Sequence, residues 1–244
     1  MSHKYKEDID LAFLHYADNE MLEVLVQSLI FDTDGKKRNT ESLTGNKSFI
    51  EAKGNYSQIW QTIAAELQHY GGDTLVNFVR RTGVSYREIL IDVCKRMKVK
   101  TNFDAATIEI EQAMFAKLIE TSWQDMTDTQ KAELASALKI DAKLAGPAAM
   151  AAIIAAINLG GFASYQVALI VANSIAKMIM GKGLQLAANA GLAKTIGVFA
   201  GPIGWVITGL LTVPALSGPA FRVTLPGVIQ VAAMRQQLEN KEHF

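Results

Sequence analysis

Apolar residues recur every three or four positions through most of the first 140 residues, the pattern of amphipathic α-helices. In 8–31 they keep this spacing, and Asp18 is placed to cap a second helix, so the stretch predicts a helical hairpin. Further helices are predicted over 56–70, 86–97, about 104–124 and 128–139. Because no sustained alternation of apolar and polar residues appears, we predict little or no sheet.

Short motifs predict where several of these helices begin and end. Two pairs have the spacing of a capping box, Ser85 with Glu88 and Thr127 with Gln130. Gly71 and Gly72 predict a helix stop, since glycine adopts the left-handed cap conformation at little cost. Asp73 is placed to cap the helix that would follow.

Beyond residue 141 the pattern becomes almost continuously apolar. Helices are predicted over 147–158 and 165–180, with Ser164 as the cap of the second. The stretch 201–204, with sequence GPIG, predicts a bend before a short apolar piece at 205–211. Pro226 is placed to open a last helix, since proline suits the first helical turn.

Charge divides the chain into two segments. The whole chain has 24 basic and 24 acidic residues, but the first 143 residues carry a net charge of −4 and the rest +4. No Asp or Glu lies between Asp141 and Glu239. We therefore predict an all-α protein with an acidic amphipathic bundle at 1–141, containing the 1–31 hairpin and a bundle at 56–140. A Gly/Ala-rich apolar helical region with a polar tail follows at 142–244.

Composition and motifs argue against an enzyme. A net charge of zero does not fit a basic nucleic-acid binder. Cys94 is the one cysteine, and its apolar helix predicts a core residue rather than a nucleophile. The four histidines are scattered, and neither a phosphate-binding glycine loop nor a zinc-binding His-Glu-x-x-His pair occurs. We predict no catalytic, cofactor or metal site.

The acid-free segment allows two interpretations. The first is a core helix pair covered by the amphipathic bundle, since short apolar runs are typical of buried helices. The second is a hairpin at 147–180 that inserts into a bilayer, although a 16-residue helix of roughly 24 Å is shorter than the ~30 Å hydrocarbon layer. The candidate membrane contacts are Lys177, Lys182, Lys194 and Trp205.

One polar cluster stands out in the first segment. Its members are Glu66, His69, Tyr70, Asp73, Arg80 and Tyr86. Because the cluster combines a histidine, two carboxylates and an arginine, it is a candidate partner-binding site. The alternative is purely structural, with a helix stop, a glycine turn, an N-cap aspartate and an ion pair.

Several stretches carry a family resemblance: DLAFL at 10–14, ELQHYGGD at 66–73, GVSYREIL at 83–90, GPIGW at 201–205 and SGPAFRVTLP at 217–226. Together with Glu20 and Leu22, they resemble the YaaW family of bacterial proteins over nearly the whole chain. Residues of about 56–140 are also similar to ubiquinol–cytochrome c chaperones. That resemblance implies an assembly helper that meets a membrane protein, and it implies no catalytic residues.

These observations lead to two functional hypotheses. The first is a non-enzymatic, membrane-associating protein whose apolar C-terminal helices are shielded by the N-terminal bundle and released at a bilayer. The second is a chaperone-like assembly factor for a membrane or respiratory protein. The expected partners are inner-leaflet lipid or a membrane-protein client, with self-association left open. Because no apolar leader follows the first charges, we expect a cytoplasmic location. The alternative is a protein that is peripheral to the inner membrane or inserted in it.

Overall fold

Helices provide almost all of the regular structure. A computed structural model describes residues 3–32, 34–72, 83–141, 143–144, 146–183, 190–212, 218 and 220–241. The helices within these ranges are α1 (Asn19–Ile30), α2 (Lys47–Ala52), α3 (Trp60–Gly72), α4 (Tyr86–Arg96), α5 (Thr107–Trp123), α6 (Asp128–Ala137), α7 (Gly146–Asn158), α8 (Gly161–Met180), α9 (Ala190–Thr212) and α10 (Phe221–Lys241). Short 3-10 turns cover Ala12–Tyr16, Leu43–Gly45 and Tyr56–Ile59. In the described ranges, β pairing is limited to one bridge between Phe31 and Lys37. The predicted all-α class is confirmed.

Local sequence motifs set several helix starts as predicted. At α4 the Ser85 side chain accepts a hydrogen bond from the Glu88 backbone N–H, and the Glu88 carboxylate accepts one from the Ser85 backbone N–H. Thr127 and Gln130 make the same reciprocal pair at α6. Asp18 occupies the N-cap position of α1 with extended backbone, but its side chain makes no capping hydrogen bond and accepts one from Gln237 instead. Each capping box satisfies amide donors that the first helical turn leaves without partners.

Gly71 has a different role from the predicted one. α3 runs through Gly72, so Gly71 is helical and does not form a left-handed stop. A Cβ at Gly71 would lie 2.7 Å from Ile89 Cδ1 and 2.8 Å from Val84 Cγ2, closer than atoms can pack. The glycine therefore allows α3 to approach α4. The predicted Asp73 cap and the helix after it lie outside the described residues.

The start of α8 also differs from the prediction. α8 begins at Gly161, so Ser164 lies inside the helix and does not cap it. Gly160 and Gly161 both have positive φ, and they supply the turn that reverses the chain after α7. The glycine pair therefore decides this boundary, and the predicted serine cap was wrong.

Two prolines lie within helices rather than at their ends. α9 continues through Pro202, and α10 begins at Phe221, ahead of Pro226. A proline removes one helical hydrogen-bond donor and disturbs the preceding turn. Burial of Ile203 and Ile207 in α9, and of Phe221 in α10, offsets that cost. The predicted start at Pro226 was therefore wrong, and the apolar piece predicted at 205–211 belongs to α9, while a bend at 201–204 stays a prediction.

α8 lies at the centre of the fold. It packs against α1, α5, α7, α9 and α10, and residues 166–176 are all buried. Among the described helices, α8 has the length and apolar composition of a membrane span, but 72% of its most apolar window is buried inside the protein. Burial in a protein core accounts for the composition of this helix equally well.

α10 joins the two compositional segments. It packs against α1, α3 and α4 from the acidic segment and against α8 from the apolar one. Near its C-terminal end, Arg235 forms an ion pair of 3.0 Å with the fully buried Glu111 of α5. The two segments therefore share one hydrophobic core that contains buried residues of both.

Candidate functional site on the exposed face of α7

α7 presents an uncharged apolar face to solvent. Its inward side buries Ala149, Ile153 and Ile157. The exposed residues of α7 include Ala148, Ala151 and Ala155, besides Gly146, Pro147 and Asn158 at its two ends, and Leu159 follows just beyond the helix. We name Ala148, Ala151, Ala155 and Leu159 the α7 face. Leu159 is 87% exposed. Because α7 contains no charged residue, this face lacks the strongly hydrated groups that usually cover an outer helix.

A groove runs beside α7 where it packs on α5. It encloses about 240 Å³ and is lined by residues of the turn after α4, of α5 and of α7, including Lys98, Lys100, Lys117, Glu120, Ile154 and Asn158. The Lys117 ammonium lies 2.8 Å from the Glu120 carboxylate. Lys98 and Lys100 are exposed, and neither forms an ion pair with a described residue. The groove therefore combines an apolar wall with two available ammonium groups.

Two further exposed lysines lie at the start of the apolar region. The Lys139 ammonium is 4.2 Å from the centre of the Phe162 ring, at the beginning of α8. Lys143 precedes α7 in the chain, close to the exposed carboxylate of Asp141. We name Lys98, Lys100, Lys139 and Lys143 the lysine rim. These positive charges favour an apolar partner that carries negative charge at its ends.

Two members of the lysine rim have an uncommon backbone conformation. Lys98 and Lys139 each have a φ of 57°, in the left-handed region after α4 and α6 respectively. Glycine is the usual residue at such a helix end, because a side chain there costs roughly 1 kcal/mol or more. Lys53, which follows α2 and is not part of the rim, shares this left-handed conformation with a φ of 48°.

The predicted membrane contacts lie on α8, just beyond it, and on α9. Lys177 is exposed near the end of α8, and Lys182 is exposed just beyond it. Trp205 is 68% exposed on α9. Lys194 also belongs to α9, and its side chain lies outside the described structure. Their role at a membrane stays a prediction.

Three of the four described members of the predicted partner-binding cluster at 66–86 are buried, namely Glu66, Tyr70 and Tyr86. Glu66 is 1% exposed and accepts hydrogen bonds from the backbone and hydroxyl of Ser42. The Tyr86 hydroxyl donates to Glu111 at 2.7 Å, and burial, reinforced by that carboxylate, raises the pKa of Tyr86 well above its usual value. These bonds lie inside the fold, where a partner has no access without local opening.

The remaining cluster members are distributed between the interior, the surface and the undescribed residues. Tyr70 is 3% exposed, and its hydroxyl lies 3.3 Å from the Thr40 hydroxyl. His69 is partly exposed, and its ring stacks on His3 with 3.6 Å between centroids. Asp73 and Arg80 lie outside the described residues. A partner-binding role for the six residues stays a prediction.

Cys94 lies in the core, where the sequence places it. The side chain is fully buried in α4. Burial, with a smaller effect of the Glu111 carboxylate, raises the pKa of the Cys94 thiol to about 12. The nucleophilic thiolate is therefore scarce at neutral pH. Within the described ranges, no group of three or more metal-binding side chains comes together.

Neither the α7 face nor the lysine rim was predicted from the sequence. Both sides of α7 consist mainly of alanine and isoleucine, so the alternation of polar and apolar residues that marks an outer face is missing. The rim residues come from separate stretches of sequence around 98–100 and 139–143. Only the packing of α7 on α5 and α8 shows which side faces solvent.

Two family models match the chain. A domain of unknown function, DUF3944, matches residues 5–39, and the ubiquinol-cytochrome C chaperone family matches residues 55–229. The second match extends well beyond the 56–140 that the sequence predicted for this resemblance. It includes α7 and the lysine rim.

Similar curated proteins are bacterial. A UPF0174 protein of Helicobacter pylori strain J99 is 42% identical over 95% of this chain and 92% of its own length. The UPF0174 protein YaaW of Escherichia coli strain K12 is 34% identical over 98% of both chains. The predicted resemblance to YaaW proteins is therefore confirmed. No solved structure matches this chain.

Proposed function

This chain belongs to the UPF0174 family and carries a ubiquinol-cytochrome C chaperone family domain, and we propose that it is a non-enzymatic, chaperone-like assembly factor. In this role the α7 face binds an apolar helical segment of a client before that segment reaches its final partners. The client is a membrane or respiratory protein. The single observation that carries the proposal is the solvent exposure of a helix face without charges.

The shape of the α7 face supports a helical client. Ala148, Ala151 and Ala155 follow one another at helical spacing, so they form a shallow ridge of small side chains. Small residues at such spacing let a second helix approach closely and gain many van der Waals contacts. Leu159, at the end of the ridge, offers a larger anchor for the same helix.

The positive charges beside the α7 face would let the protein select among apolar client segments. Lys98 and Lys100 lie beside the groove and lack ion-pair partners within the described structure. Carboxylates that flank an apolar client helix would pair with these ammonium groups. Such rim charges contribute more to orientation and association rate than to affinity. A client with acidic flanks is therefore preferred over one with basic flanks.

Binding of a defined peptide tests the proposal. The probe is a fluorescent, 20-residue Leu/Ala helix with aspartates at both ends, titrated into the full-length protein. Ala155→Glu places a carboxylate in the proposed contact, and we expect its affinity to fall roughly tenfold or more, since contact with an apolar helix removes water from that charge. Ala132→Glu is the matched control, because Ala132 is an exposed alanine on α6, away from the groove.

The outcome of the comparison decides the proposal. Equal peptide binding by the Ala155 and Ala132 variants, with unchanged circular dichroism, would reject the α7 face as the client site. A photo-crosslinking amino acid at position 155 or 132 extends the test to cells. We expect adducts to apolar membrane proteins from position 155 and none from position 132.

Binding of the α7 face to an anionic membrane is a second candidate function. The exposed ammonium groups of the lysine rim favour it, because each lysine near an anionic surface contributes about 1 kcal/mol. In the more extensive version of this hypothesis, the hairpin 147–180 leaves the protein core and inserts into the bilayer. Insertion would have to separate α8 from α1, α9 and α10, whereas surface binding would not.

Vesicle flotation separates these possibilities. Binding to phosphatidylglycerol vesicles that is lost in Ala155→Glu but kept in Ala132→Glu would support membrane contact through the α7 face. Release of the bound protein by high salt would indicate surface binding, and resistance to carbonate would indicate insertion. Equal recovery with neutral phosphatidylcholine vesicles would reject the electrostatic role of the lysine rim.

A further inference from the structure

A second cavity lies where the segment after α1 meets the start of α10. It encloses about 490 Å³, and the charged residues that line it are Asp32, Asp34, Lys36, Lys37, Arg38 and Arg222. Four of these side chains are cationic and two are acidic. Residues 32–39 fall within the DUF3944 match and Arg222 within the chaperone family match, so the cavity joins the two matched regions.

Two arginines converge on one carboxylate in this cavity. Arg38 Nη1 lies 3.4 Å and Arg222 Nη1 3.7 Å from the same Asp32 Oδ2. Both distances exceed the roughly 2.8 Å of a strong charge-assisted hydrogen bond. The Asp32 carboxylate therefore lies between two guanidinium groups, at ion-pair distance from each.

Each guanidinium has a donor without a partner among the described residues, although Arg38 Nη2 donates to the Arg222 backbone carbonyl at 3.2 Å. The Arg38 side chain is only 8% exposed, and its Nε is buried without a partner among the described residues. Arg222 Nε is also buried without a partner among the described residues, although the Arg222 side chain as a whole is 44% exposed. Buried N–H donors are usually satisfied, so two unsatisfied ones on converging arginines require an explanation.

The other charged residues of the cavity are already paired. The Lys36 ammonium lies 3.0 Å from Asp34, and the Lys37 ammonium 2.8 Å from Glu41. Burial lowers the pKa of Arg38 and the Asp32 carboxylate opposes this, but arginine stays protonated in proteins. The excess positive charge is therefore concentrated on the Arg38–Arg222 pair.

We propose that Arg38 and Arg222 form a binding site for a phosphate group, with Asp32 occupying part of the space in the unliganded protein. Phosphate oxygens accept several hydrogen bonds at once, and arginine presents its N–H groups in a planar fork that matches them. The cavity has room for the group to which a phosphate is attached. The ligand is a phosphate monoester, either free in solution or exposed as a lipid headgroup.

Opposite effects of two variants test this site. Calorimetric titration of the full-length protein with inorganic phosphate, at constant ionic strength, measures affinity. Arg222→Gln removes one guanidinium, and we expect at least about tenfold weaker binding. Asp32→Asn removes the competing carboxylate, and we expect about five- to tenfold tighter binding. Lys47→Gln, at an 88% exposed lysine on α2, controls for loss of one surface charge.

Two further arms identify the source of the phosphate. Flotation with phosphatidic acid vesicles, abolished by Arg222→Gln and by soluble glycerol phosphate, would support a headgroup. Binding of glycerol phosphate in solution without flotation would support a free monoester. The inference is overturned if the wild-type protein binds neither probe, if Arg222→Gln and Lys47→Gln bind alike, or if Asp32→Asn binds more weakly while remaining folded. None of these results bears on the α7 face.

Discussion

Arg235 of α10 and Glu111 of α5 form a buried ion pair across 124 positions of sequence. The guanidinium donates to both carboxylate oxygens, at 3.0 Å and 3.2 Å. Arg235 also donates to the Asp10 backbone carbonyl at 2.6 Å, and Tyr86 donates to Glu111. One arginine thus links the N-terminal turn, the acidic bundle and the last helix.

Loss of this ion pair should destabilise the whole protein. Glu111→Gln leaves the Arg235 charge buried without its partner, and removal of one member of a buried pair costs about 3–5 kcal/mol. Urea unfolding followed by circular dichroism measures the free energy of unfolding. Glu120→Gln breaks the partly exposed pair with Lys117 and should cost less than about 1 kcal/mol. Similar losses in the two variants would contradict the linking role of Arg235.

The Cys94 thiol should resist alkylation until the protein unfolds. Its pKa of about 12 lies above the usual 9.0, so at pH 8 the folded protein holds almost no thiolate, while the unfolded chain holds about a tenth. Mass spectrometry after iodoacetamide treatment, with and without urea, measures the reaction. Ser136→Cys in a Cys94→Ser background supplies an exposed thiol as the control. Equal alkylation rates of the two native proteins would contradict the buried position.

Lys98→Gly should make the protein more stable and its client binding weaker. Glycine removes the strain of a left-handed backbone, worth about 1 kcal/mol, and the same change deletes a lysine beside the groove. Lys100→Gly is the control, because Lys100 is not among the residues with positive φ. We expect both variants to bind the acidic-ended peptide more weakly, but only Lys98→Gly to gain stability in urea unfolding. A lower free energy of unfolding for Lys98→Gly than for the wild-type protein would refute the proposed backbone strain at Lys98.

Gly71→Ala should destabilise the contact between α3 and α4. The added methyl group would lie within 2.8 Å of Val84 and closer still to Ile89, and overpacking of this kind costs about 1–3 kcal/mol. Gly209→Ala is the control, since a Cβ there meets nothing within 4 Å and alanine favours the helix by up to about 1 kcal/mol. The temperature of thermal unfolding should fall for Gly71→Ala and rise for Gly209→Ala. A shift in the same direction would refute the close approach.

Helix starts followed from the sequence because their causes are local. The capping boxes at Ser85 and Thr127 involve residues three positions apart, and both form as predicted. The buried position of Cys94 followed from the apolar spacing of its own helix. Two local predictions failed: at Ser164 the preceding glycine pair set the start of α8 instead, and after Pro202 the separate piece predicted at 205–211 did not form, because packing against other helices kept the proline inside α9.

The sequence by itself determined that the chain is helical and that no acidic residue lies between Asp141 and Glu239. It did not determine how that composition is used: α7 and α8 are both almost free of charge, yet α8 is buried at the centre and α7 exposes one face. The pairing of Arg38 with Arg222, 184 positions apart, also depended on the fold. Which side of a helix is exposed depends on what packs against it. Which side chains meet across the fold depends on contacts between residues distant in sequence, and such contacts leave no local sequence pattern. Only the tertiary structure could decide them.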